Sequence, residues 1–328
     1  MPQRFLVTGG AGYVGSHLVA ALLDRGDSVT VIDNLRTGHK AAVPAGVKLV
    51  VADLADGEAI DAVMADGSWD AVFHFASLSQ VGESMRMPMR YLLDNAANGV
   101  RLIDSCVRHG VGRFVLSSTA ALFNVDGADP IPEEAPIDPQ SAYGDSKWMI
   151  ERALRWAGQV HGLRAACLRY FNAAGADPAG RLGEDHRPES HLIPLVIDAA
   201  LGRRAALDVF GDDYPTPDGT CIRDYVHVSD LASAHLLAVE ALKDGPVVWN
   251  LGNGAGHSVR QVIASVERVS GLTVPHRIVE RRAGDAAVLV ASSVRAQAAG
   301  WRPAHADLDD IVRTAFDWRR SHPDGYGD

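Results

Sequence analysis

The stretch Thr8-Gly9-Gly10-Ala11-Gly12-Tyr13-Val14-Gly15 lies between an apolar run that predicts a strand and an amphipathic segment that predicts a helix. Gly9 permits a tight turn, Gly12 lets the backbone approach a pyrophosphate, and Gly15 lets the helix pack closely on the strand. The N-terminus of the helix offers N–H donors to phosphate oxygens. Because the glycine spacing occurs in its strand-to-helix context, it predicts a dinucleotide-binding loop and not an unliganded turn.

An acidic residue follows at the end of the next apolar run. Asp33 closes the segment Val29-Thr30-Val31-Ile32-Asp33. A carboxylate at this position accepts a hydrogen bond from an adenosine ribose and repels a 2′-phosphate, which favours NAD over NADP. Arg36 slightly weakens this preference, although it fits a solvated loop charge. Asp53 follows the third apolar run and is expected near the adenine, but its residue type fits a helix N-cap nearly as well.

Further along the chain, short apolar runs alternate with amphipathic segments, a pattern typical of βαβ units and a parallel sheet. The predicted strands are 4–8, 28–32, 47–51, 71–75, 113–117 and 164–170. The longer predicted helices are 91–107, 143–158, 192–201, 228–242, 259–270 and 308–320. We therefore predict an α/β fold, with a Rossmann-type doubly wound parallel sheet in residues 1–172 and a smaller mixed α/β C-terminal substrate lobe in residues 173–328. A strand at 247–251 is expected to return to the main sheet.

Composition limits the classes of partner. The 328 residues carry a formal net charge of −10, which argues against broad electrostatic binding to nucleic acid or to an anionic membrane. No apolar run approaches the length needed to span a bilayer, and no secretory signal precedes the glycine-rich turn. Cys106, Cys167 and Cys221 form no metal-binding pattern and fit buried free thiols. We expect a cytoplasmic protein without a metal, a nucleic-acid partner or a membrane partner.

A second motif predicts a group of residues that can transfer protons. Tyr143-Gly144-Asp145-Ser146-Lys147 places a tyrosine and a lysine on one face of a helix. The lysine ammonium, together with the positive nicotinamide of NAD⁺, favours the phenolate and so lowers the tyrosine pKa. Thr119 ends the run Leu116-Ser117-Ser118-Thr119 and could present its hydroxyl to a substrate oxygen. Alone, each feature fits a surface pair or ordinary turn chemistry; together with the nucleotide loop they predict a hydride-transfer site.

The glycine loop, Thr119 and Tyr143-x-x-x-Lys147 resemble the extended short-chain dehydrogenase/reductase family. Further stretches are similar to its UDP-galactose (UDP-glucose) 4-epimerases: His74-Phe75-Ala76, Val81-Gly82-Glu83-Ser84, Leu168-Arg169-Tyr170-Phe171-Asn172, Phe210-Gly211-Asp212-Asp213-Tyr214-Pro215-Thr216, Asp218-Gly219-Thr220, Arg223-Asp224-Tyr225-Val226-His227-Val228, Asn250-Leu251-Gly252 and Arg282-Ala283-Gly284-Asp285. The resemblance covers nearly the whole chain. It implies reversible epimerisation at carbon 4 of UDP-glucose and UDP-galactose through a 4-keto intermediate, with transient reduction of bound NAD. It also implies a role in galactose or other carbohydrate metabolism and a homodimer built on helices 91–107 and 143–158.

The resemblance assigns residues to each part of the site. The implied catalytic residues are Tyr143, Lys147 and Thr119. The implied NAD-binding residues are Gly9, Gly12, Tyr13, Val14, Asp33, Asn34, Asp53, Leu54, Phe75, Ala76, Ser79, Asn95, Lys147 and Tyr170. The implied substrate-binding residues are Thr119, Asn172, His191, Leu192, Phe210, Arg223, Arg282, Asp285 and Leu289. Two arginines suit a pyrophosphate on an acidic protein, although Arg223 could instead form a salt bridge and Phe210 could belong to the core.

Several positions depart from the family pattern and leave alternatives open. Phe123 replaces a tyrosine, Ser79 replaces a lysine of some members, and Leu289 replaces a tyrosine near the sugar, where a smaller side chain could admit UDP-N-acetylhexosamines. Ala120 and Ala121 occupy the positions of the acid pair of sugar-nucleotide dehydratases, so dehydration has no catalyst. A UDP-uronic acid 4-epimerase or decarboxylase would need a further cation for the sugar carboxylate. A non-catalytic NAD-binding sensor would not need the tyrosine and lysine.

Overall fold

The computed structural model describes residues 2–125, 127, 129–282 and 284–327. The strands are β1 (Arg4–Thr8), β2 (Ser28–Asp33), β3 (Lys48–Val51), β4 (Ala71–His74), β5 (Arg113–Thr119), β6 (Arg164–Tyr170), β7 (Asn172–Ala174), β8 (Leu207–Phe210), β9 (Ile222–His227), β10 (Val247–Leu251), β11 (Gly256–Ser258), β12 (His276–Val279) and β13 (Val288–Leu289). The α-helices are α1 (Tyr13–Asp24), α2 (Gly57–Ala65), α3 (Val81–Arg86), α4 (Pro88–Tyr91), α5 (Asn98–Arg108), α6 (Ala142–His161), α7 (Leu192–Ala200), α8 (Val228–Ala241), α9 (Val259–Ser270), α10 (Val294–Ala298) and α11 (Leu308–Ser321).

The main sheet has seven parallel strands in the order β10-β6-β5-β4-β1-β2-β3. The chain winds outward in one direction from β1 to β3 and in the other from β4 to β10, which is the doubly wound arrangement predicted from the sequence. In such sheets ligands bind outside the carboxyl ends of the strands, where the winding direction changes. The Rossmann-type fold is confirmed, and the crevice between β1 and β4 is where a dinucleotide is expected.

Helices cover both faces of this sheet, so its strands are apolar on both sides. Phe5 and Val7 of β1 belong to one buried cluster, which also holds Leu18 of α1 and Leu231 of α8. Leu6 points to the opposite face, where a second cluster joins residues of α2, α5 and α6. Because both faces of β1 are buried, its sequence is an unbroken apolar run, and the strand has the bounds predicted from that run.

The chain re-enters the sheet late in the sequence. β10 pairs with β6, with Trp249 opposite Leu168, so the strand predicted at 247–251 does return to the main sheet. The preceding helix α8 packs against α1 on the same face. A division into residues 1–172 and 173–328 stays a prediction, but α8 and β10 belong to the layers of the main sheet.

The remaining C-terminal residues form a second core. β7, β9, β11 and β13 make a small mixed sheet, and β8 pairs with β12. Helices α7, α9 and α11 enclose an apolar cluster that includes Val196, Val262 and Ile311. This matches the predicted mixed α/β lobe. Strands β12 and β13 had no sequence signal strong enough to predict them.

One predicted helix was wrong in its regularity and its start. Residues 91–107 are not a continuous α-helix, because α4 runs from Pro88 to Tyr91 and a π-helical stretch, Leu92–Ala97, joins it to α5. The stretch contains the buried Asn95, whose side-chain amide bonds to groups outside its own helix.

No helix in the described part of the chain is long and apolar enough to cross a membrane.

Candidate active site

The glycine loop, which forms a cradle for a ligand, packs so closely on neighbouring backbone that Gly9 and Gly15 have no room for a side chain. Gly9 has a positive φ of 74°, and a Cβ placed on it would lie 2.4 Å from the amide nitrogen of Ala76. A Cβ on Gly15 would lie 2.2 Å from the carbonyl oxygen of Gly9. α1 begins at Tyr13, directly after this turn, so its first N–H groups face the same space. These features fit a dinucleotide pyrophosphate.

Acidic residues lie beside the cradle at the ends of β2 and β3. Asp33 is buried, and burial raises the pKa of its carboxyl, while N–H groups of Leu35 and Ala11 oppose that rise. Its two oxygens accept those N–H groups at 2.9 and 3.0 Å. The Asn34 amide donates to the Asp53 carboxylate at 2.8 Å. The structure therefore places these predicted residues together, and the ribose contact of Asp33 stays a prediction.

The opposite wall of the crevice is formed where β4 ends. The backbone N–H groups of Phe75 and Ala76 both donate to the carbonyl of Thr8, at 2.8 and 3.1 Å, and so end the strand next to the glycine loop. Asn95 is 1% exposed and holds the loop after β4 by accepting from Leu78 N–H and donating to its carbonyl. Its amide also donates to Ser146 of α6. Asn95 thus ties the crevice wall to the helix that carries the catalytic motif.

Close packing brings Thr119 and Tyr143 together. α6 starts after Ser141, whose side chain accepts the N–H of Gly144. A Cβ on Gly144 would lie 2.3 Å from the carbonyl oxygen of Ala121, so α6 can press against the turn after β5 only because this residue is glycine. Thr119 and Tyr143 form a side-chain hydrogen bond at this junction.

The electrostatics of the predicted catalytic group follow from its burial. Burial raises the pKa of Tyr143, and the hydrogen bond with Thr119 opposes that rise. Lys147 is 1% exposed, and burial lowers its pKa to about 7. Its ammonium lies 6.0 Å from the centre of the Tyr143 ring and donates to the carbonyl of Ser117 at 2.9 Å. The structure brings the three predicted catalytic residues together on β5 and α6.

Ser117 is a residue of this site that the sequence analysis did not single out. Its carbonyl receives the Lys147 ammonium, and its hydroxyl is hydrogen-bonded to the Tyr170 hydroxyl. Tyr170 ends β6 beside the end of β5, and burial raises its pKa. The Ser117-Ser118-Thr119 strand end was the available signal, but it did not show which hydroxyl bonds to Tyr170: the register of β5 and β6 puts Thr119 opposite Tyr170, whereas the side-chain bond is made by Ser117.

A separate cavity of about 210 Å³ lies in the second lobe. Its lining includes most of the predicted substrate residues: Asn172, His191, Leu192, Phe210, Arg223, Arg282 and Asp285. The Arg282 guanidinium lies over the Phe210 ring, 3.8 Å from its centre. Arg223 donates to the carbonyls of Ile222 and Ala286 and lies 3.9 Å from Asp285. Arg223 therefore lines the cavity and also contacts a neighbouring acid.

Three departures from the family pattern have distinct environments. Leu289 is not part of the described cavity lining; it lies in β13 opposite Arg223 of β9. Phe123 is buried, and the Arg169 guanidinium lies 5.6 Å from its ring centre. Ser79 is exposed after the loop that Asn95 holds. Ala283, within the motif at 282–285, lies outside the described residues.

The fold and this site define the class of protein. The chain belongs to the NAD dependent epimerase/dehydratase family, whose model matches residues 5–252. That range covers the glycine loop, the residues of the catalytic group and β10. The prediction of NAD as cofactor is confirmed by this membership and by solved relatives that contain NAD.

Several similar relatives within the family carry the same name, UDP-glucose 4-epimerase. The chain is 48% identical to a UDP-glucose 4-epimerase of Halalkalibacterium halodurans, over 99% of this chain and 98% of the relative. It is 50% identical to a UDP-glucose 4-epimerase of Azospirillum brasilense, over 97% and 92% of the two chains. The crystal structure of UDP-glucose 4-epimerase from Brucella ovis in complex with NAD superposes with a TM-score of 0.93, at 43% identity and covering 96% of this chain and 98% of that one.

Proposed function

We propose that this chain is an enzyme that interconverts UDP-glucose and UDP-galactose by epimerisation at carbon 4, through a 4-keto intermediate. The observation that carries the proposal is the junction of β5 and α6, where Thr119, Tyr143 and Lys147 meet beside the dinucleotide crevice. The full-length similarity to UDP-glucose 4-epimerases supports the choice of reaction.

The chain's own residues would handle the proton of the reaction. When bound, NAD supplies the hydride acceptor and donor at carbon 4. Tyr143 takes the proton from the 4-hydroxyl and later returns it, and Thr119 stabilises the same oxygen by hydrogen bonding. The Lys147 ammonium favours the phenolate form of Tyr143 and binds the nicotinamide ribose. Every group is regenerated, so the cycle produces no net oxidation.

The cavity of the second lobe would hold the nucleotide while the hexose turns. Arg223 and Arg282 provide fixed cations for the pyrophosphate, with the planar geometry that suits phosphate oxygens. Phe210 lies under Arg282 and offers a face on which uracil can stack. An anchored UDP allows the 4-keto sugar to present its other face to the cofactor, which is what inversion at carbon 4 requires.

The proposed assembly is a homodimer formed through α5, α6 and the π-helical stretch before α5. Leu93, Val100, Met149, Trp156 and Val160 are large apolar side chains that are 40–67% exposed on these segments. Positions 149, 156 and 160 recur at helical spacing, so they share one face of α6. A contiguous exposed apolar surface is typical of a protein interface. A cytoplasmic location stays a prediction from the sequence.

The proposal is tested by incubating the purified protein with UDP-galactose, without added cofactor, and following the products by NMR. Appearance of UDP-glucose supports C4 epimerisation with tightly bound NAD. A parallel incubation with UDP-N-acetylgalactosamine tests whether the enzyme also accepts an N-acetylated hexose, as the Leu289 departure suggested. Absence of turnover after addition of NAD⁺ would contradict the proposal and favour a uronate-type UDP-sugar or a non-catalytic sensor.

A further inference from the structure

Four potential metal ligands meet in the loop between β7 and α7, outside the proposed catalytic group. Glu184, His186, Glu189 and His191 each contribute one ligand atom, and these four atoms lie within 4.8 Å of one another. The sequence analysis considered only cysteine spacing as a metal signal and predicted no metal. The alternation Glu184-x-His186-x-x-Glu189-x-His191 is a local pattern that a search for mixed ligands would detect.

Three separations within this cluster are close to those between neighbouring ligands of a single ion. Glu184 Oε1 lies 3.1 Å from His186 Nδ1 and 2.8 Å from His191 Nδ1. His191 Nδ1 lies 3.0 Å from Glu189 Oε1. Nitrogen and oxygen ligands of tetrahedral Zn²⁺ stand at about 2.0–2.2 Å from the metal, which places neighbouring ligands about 3.3–3.6 Å apart. The three separations are a few tenths of an ångström shorter than this, and all four ligand atoms lie within 4.8 Å of one another, so the side chains would move apart slightly to admit an ion.

A second, independent feature of the cluster is a buried carboxylate oxygen that lacks a hydrogen-bond partner. The Glu189 side chain is 8% exposed, and its Oε2 atom has no hydrogen-bond partner among the described residues. This oxygen lies 4.0 Å from His186 Nδ1, another ligand of the cluster. A buried carboxylate oxygen without a partner is costly. A cation bound between the ligands would supply the missing interaction.

The chemistry of the four donors selects the class of ion. We propose that Glu184, His186, Glu189 and His191 bind one divalent transition-metal ion of the zinc class. Two imidazole nitrogens favour Zn²⁺ and its neighbours over Mg²⁺ and Ca²⁺, which prefer oxygen ligands. Two carboxylates balance the charge of a divalent ion. Four protein ligands leave no open position, so the site is structural.

The position of the site indicates what the ion stabilises. His191 directly precedes α7, and both His191 and Leu192 line the 210 Å³ cavity. On the other side, His186 lines a second cavity of about 450 Å³, whose lining carries both aspartates and arginines. Bound metal would fix the loop that presents α7 to the cavity. The ion is a structural element of the second lobe and takes no part in the proton transfer at Tyr143.

The test uses the full chain with its bound NAD. After dialysis against metal-free buffer, the protein is titrated with Zn²⁺, and bound metal is measured by mass spectrometry. Co²⁺ is titrated in parallel, because its visible absorption reports tetrahedral coordination. We expect one ion per chain and a melting temperature several degrees higher with Zn²⁺ than without it. Failure of the parent protein to bind a stoichiometric ion would overturn the proposal.

Two variants locate the ion, and a third is the matched control. His186→Asn removes a ligand, and Glu189→Gln keeps the size and the backbone contacts of the side chain while removing its charge. Each should weaken Zn²⁺ binding by at least about 100-fold, since even indirect supports of metal ligands account for 10–100-fold. His276→Asn changes an exposed histidine on β12 and should bind Zn²⁺ like the parent. Unchanged Zn²⁺ affinity in Glu189→Gln, with circular dichroism showing a folded protein, would place the ion elsewhere and refute the site.

Discussion

At the scale of single residues, the Tyr143 hydroxyl is the group whose loss should be felt most in the chemical step. It lies beside Thr119 at the end of β5, and the Lys147 ammonium is 6.0 Å from the centre of the Tyr143 ring. A Tyr143→Phe variant keeps the ring and removes the proton acceptor. We expect kcat for UDP-galactose to fall by about 100- to 10,000-fold, the usual contribution of a positioned acid or base, with KM little changed.

The matched control for this variant is the neighbouring tyrosine. Tyr91 packs edge-on against Tyr143, with ring centres 6.5 Å apart, and its hydroxyl donates to Glu83 instead of the proposed site. Tyr91→Phe should therefore keep kcat within a few-fold of the parent. Steady-state kinetics of both variants, with product formation followed by NMR, measures the difference. Full activity of Tyr143→Phe would refute the catalytic role.

The hydrogen bond between Thr119 and Tyr143 predicts a change in pH dependence. Because this bond lowers the pKa of Tyr143 against the rise caused by burial, its removal in Thr119→Ala should raise that pKa further. The phenolate is the active form, so the acidic limb of the kcat–pH profile should move to higher pH. Thr119→Ser keeps a hydroxyl and should restore the parent limb. Coincident limbs for Thr119→Ala and the parent would contradict this account.

The sequence located the candidate catalytic residues better than it specified their contacts. Tyr143 and Lys147 were predictable because their spacing is a local property of one helix. The contact of the Lys147 ammonium with the Ser117 carbonyl was not, since it depends on how α6 packs on β5. The role of Leu289 stays a prediction: it lies opposite Arg223 in β13 but is not among the residues that line the described cavity.

At the scale of elements, α6 is positioned by one close contact. A side chain at Gly144 would meet the carbonyl of Ala121, so Gly144→Ala should push the start of α6 away from the turn that follows Thr119. Overpacking of this kind costs about 1–3 kcal/mol of unfolding free energy. Because Tyr143 is the adjacent residue, we expect kcat to fall at least tenfold. Chemical denaturation should show the loss of about 1–3 kcal/mol of unfolding free energy.

The control for this prediction is a helical glycine with free space around it. A Cβ on Gly57 in α2 would meet no atom within 4 Å, so Gly57→Ala should leave both kcat and stability close to those of the parent. If Gly144→Ala keeps the parent kcat, the approach of α6 to the turn does not set the position of Tyr143.

Element prediction succeeded where the signal was local and failed where tertiary contacts decided the conformation. β6 and α9 have the bounds that their apolar patterns predicted. The π-helical stretch Leu92–Ala97 was not predicted, because it contains Asn95, which is held by the loop at Leu78 and by α6. Hydrophobic periodicity gives a helix its buried face but does not specify such bonds.

At the scale of the whole molecule, the alternation of strands and helices predicted the doubly wound class of the main sheet, but the order of its strands came from the structure. The return of β10 was predictable from its apolar run. The packing of α8 on α1 was not, because an amphipathic helix shows that it has an apolar face without showing which neighbour covers it. The apolar side chains that remain exposed on α6 likewise do not show what covers them. The proposed homodimer assigns them a partner, which is the same face of a second copy.

That assignment predicts the oligomeric state of a charge variant. Trp156 is 57% exposed on α6, between Met149 and Val160 along the proposed interface. In a twofold-symmetric dimer each substitution occurs twice, so Trp156→Glu would bury two carboxylates at one interface. We expect the parent to sediment as a dimer at micromolar concentration and Trp156→Glu as a folded monomer. Leu272→Glu, at a 41% exposed position after α9, changes the same kind of residue far from α6 and should stay dimeric. A dimeric Trp156→Glu variant would show that copies of the chain associate through another surface.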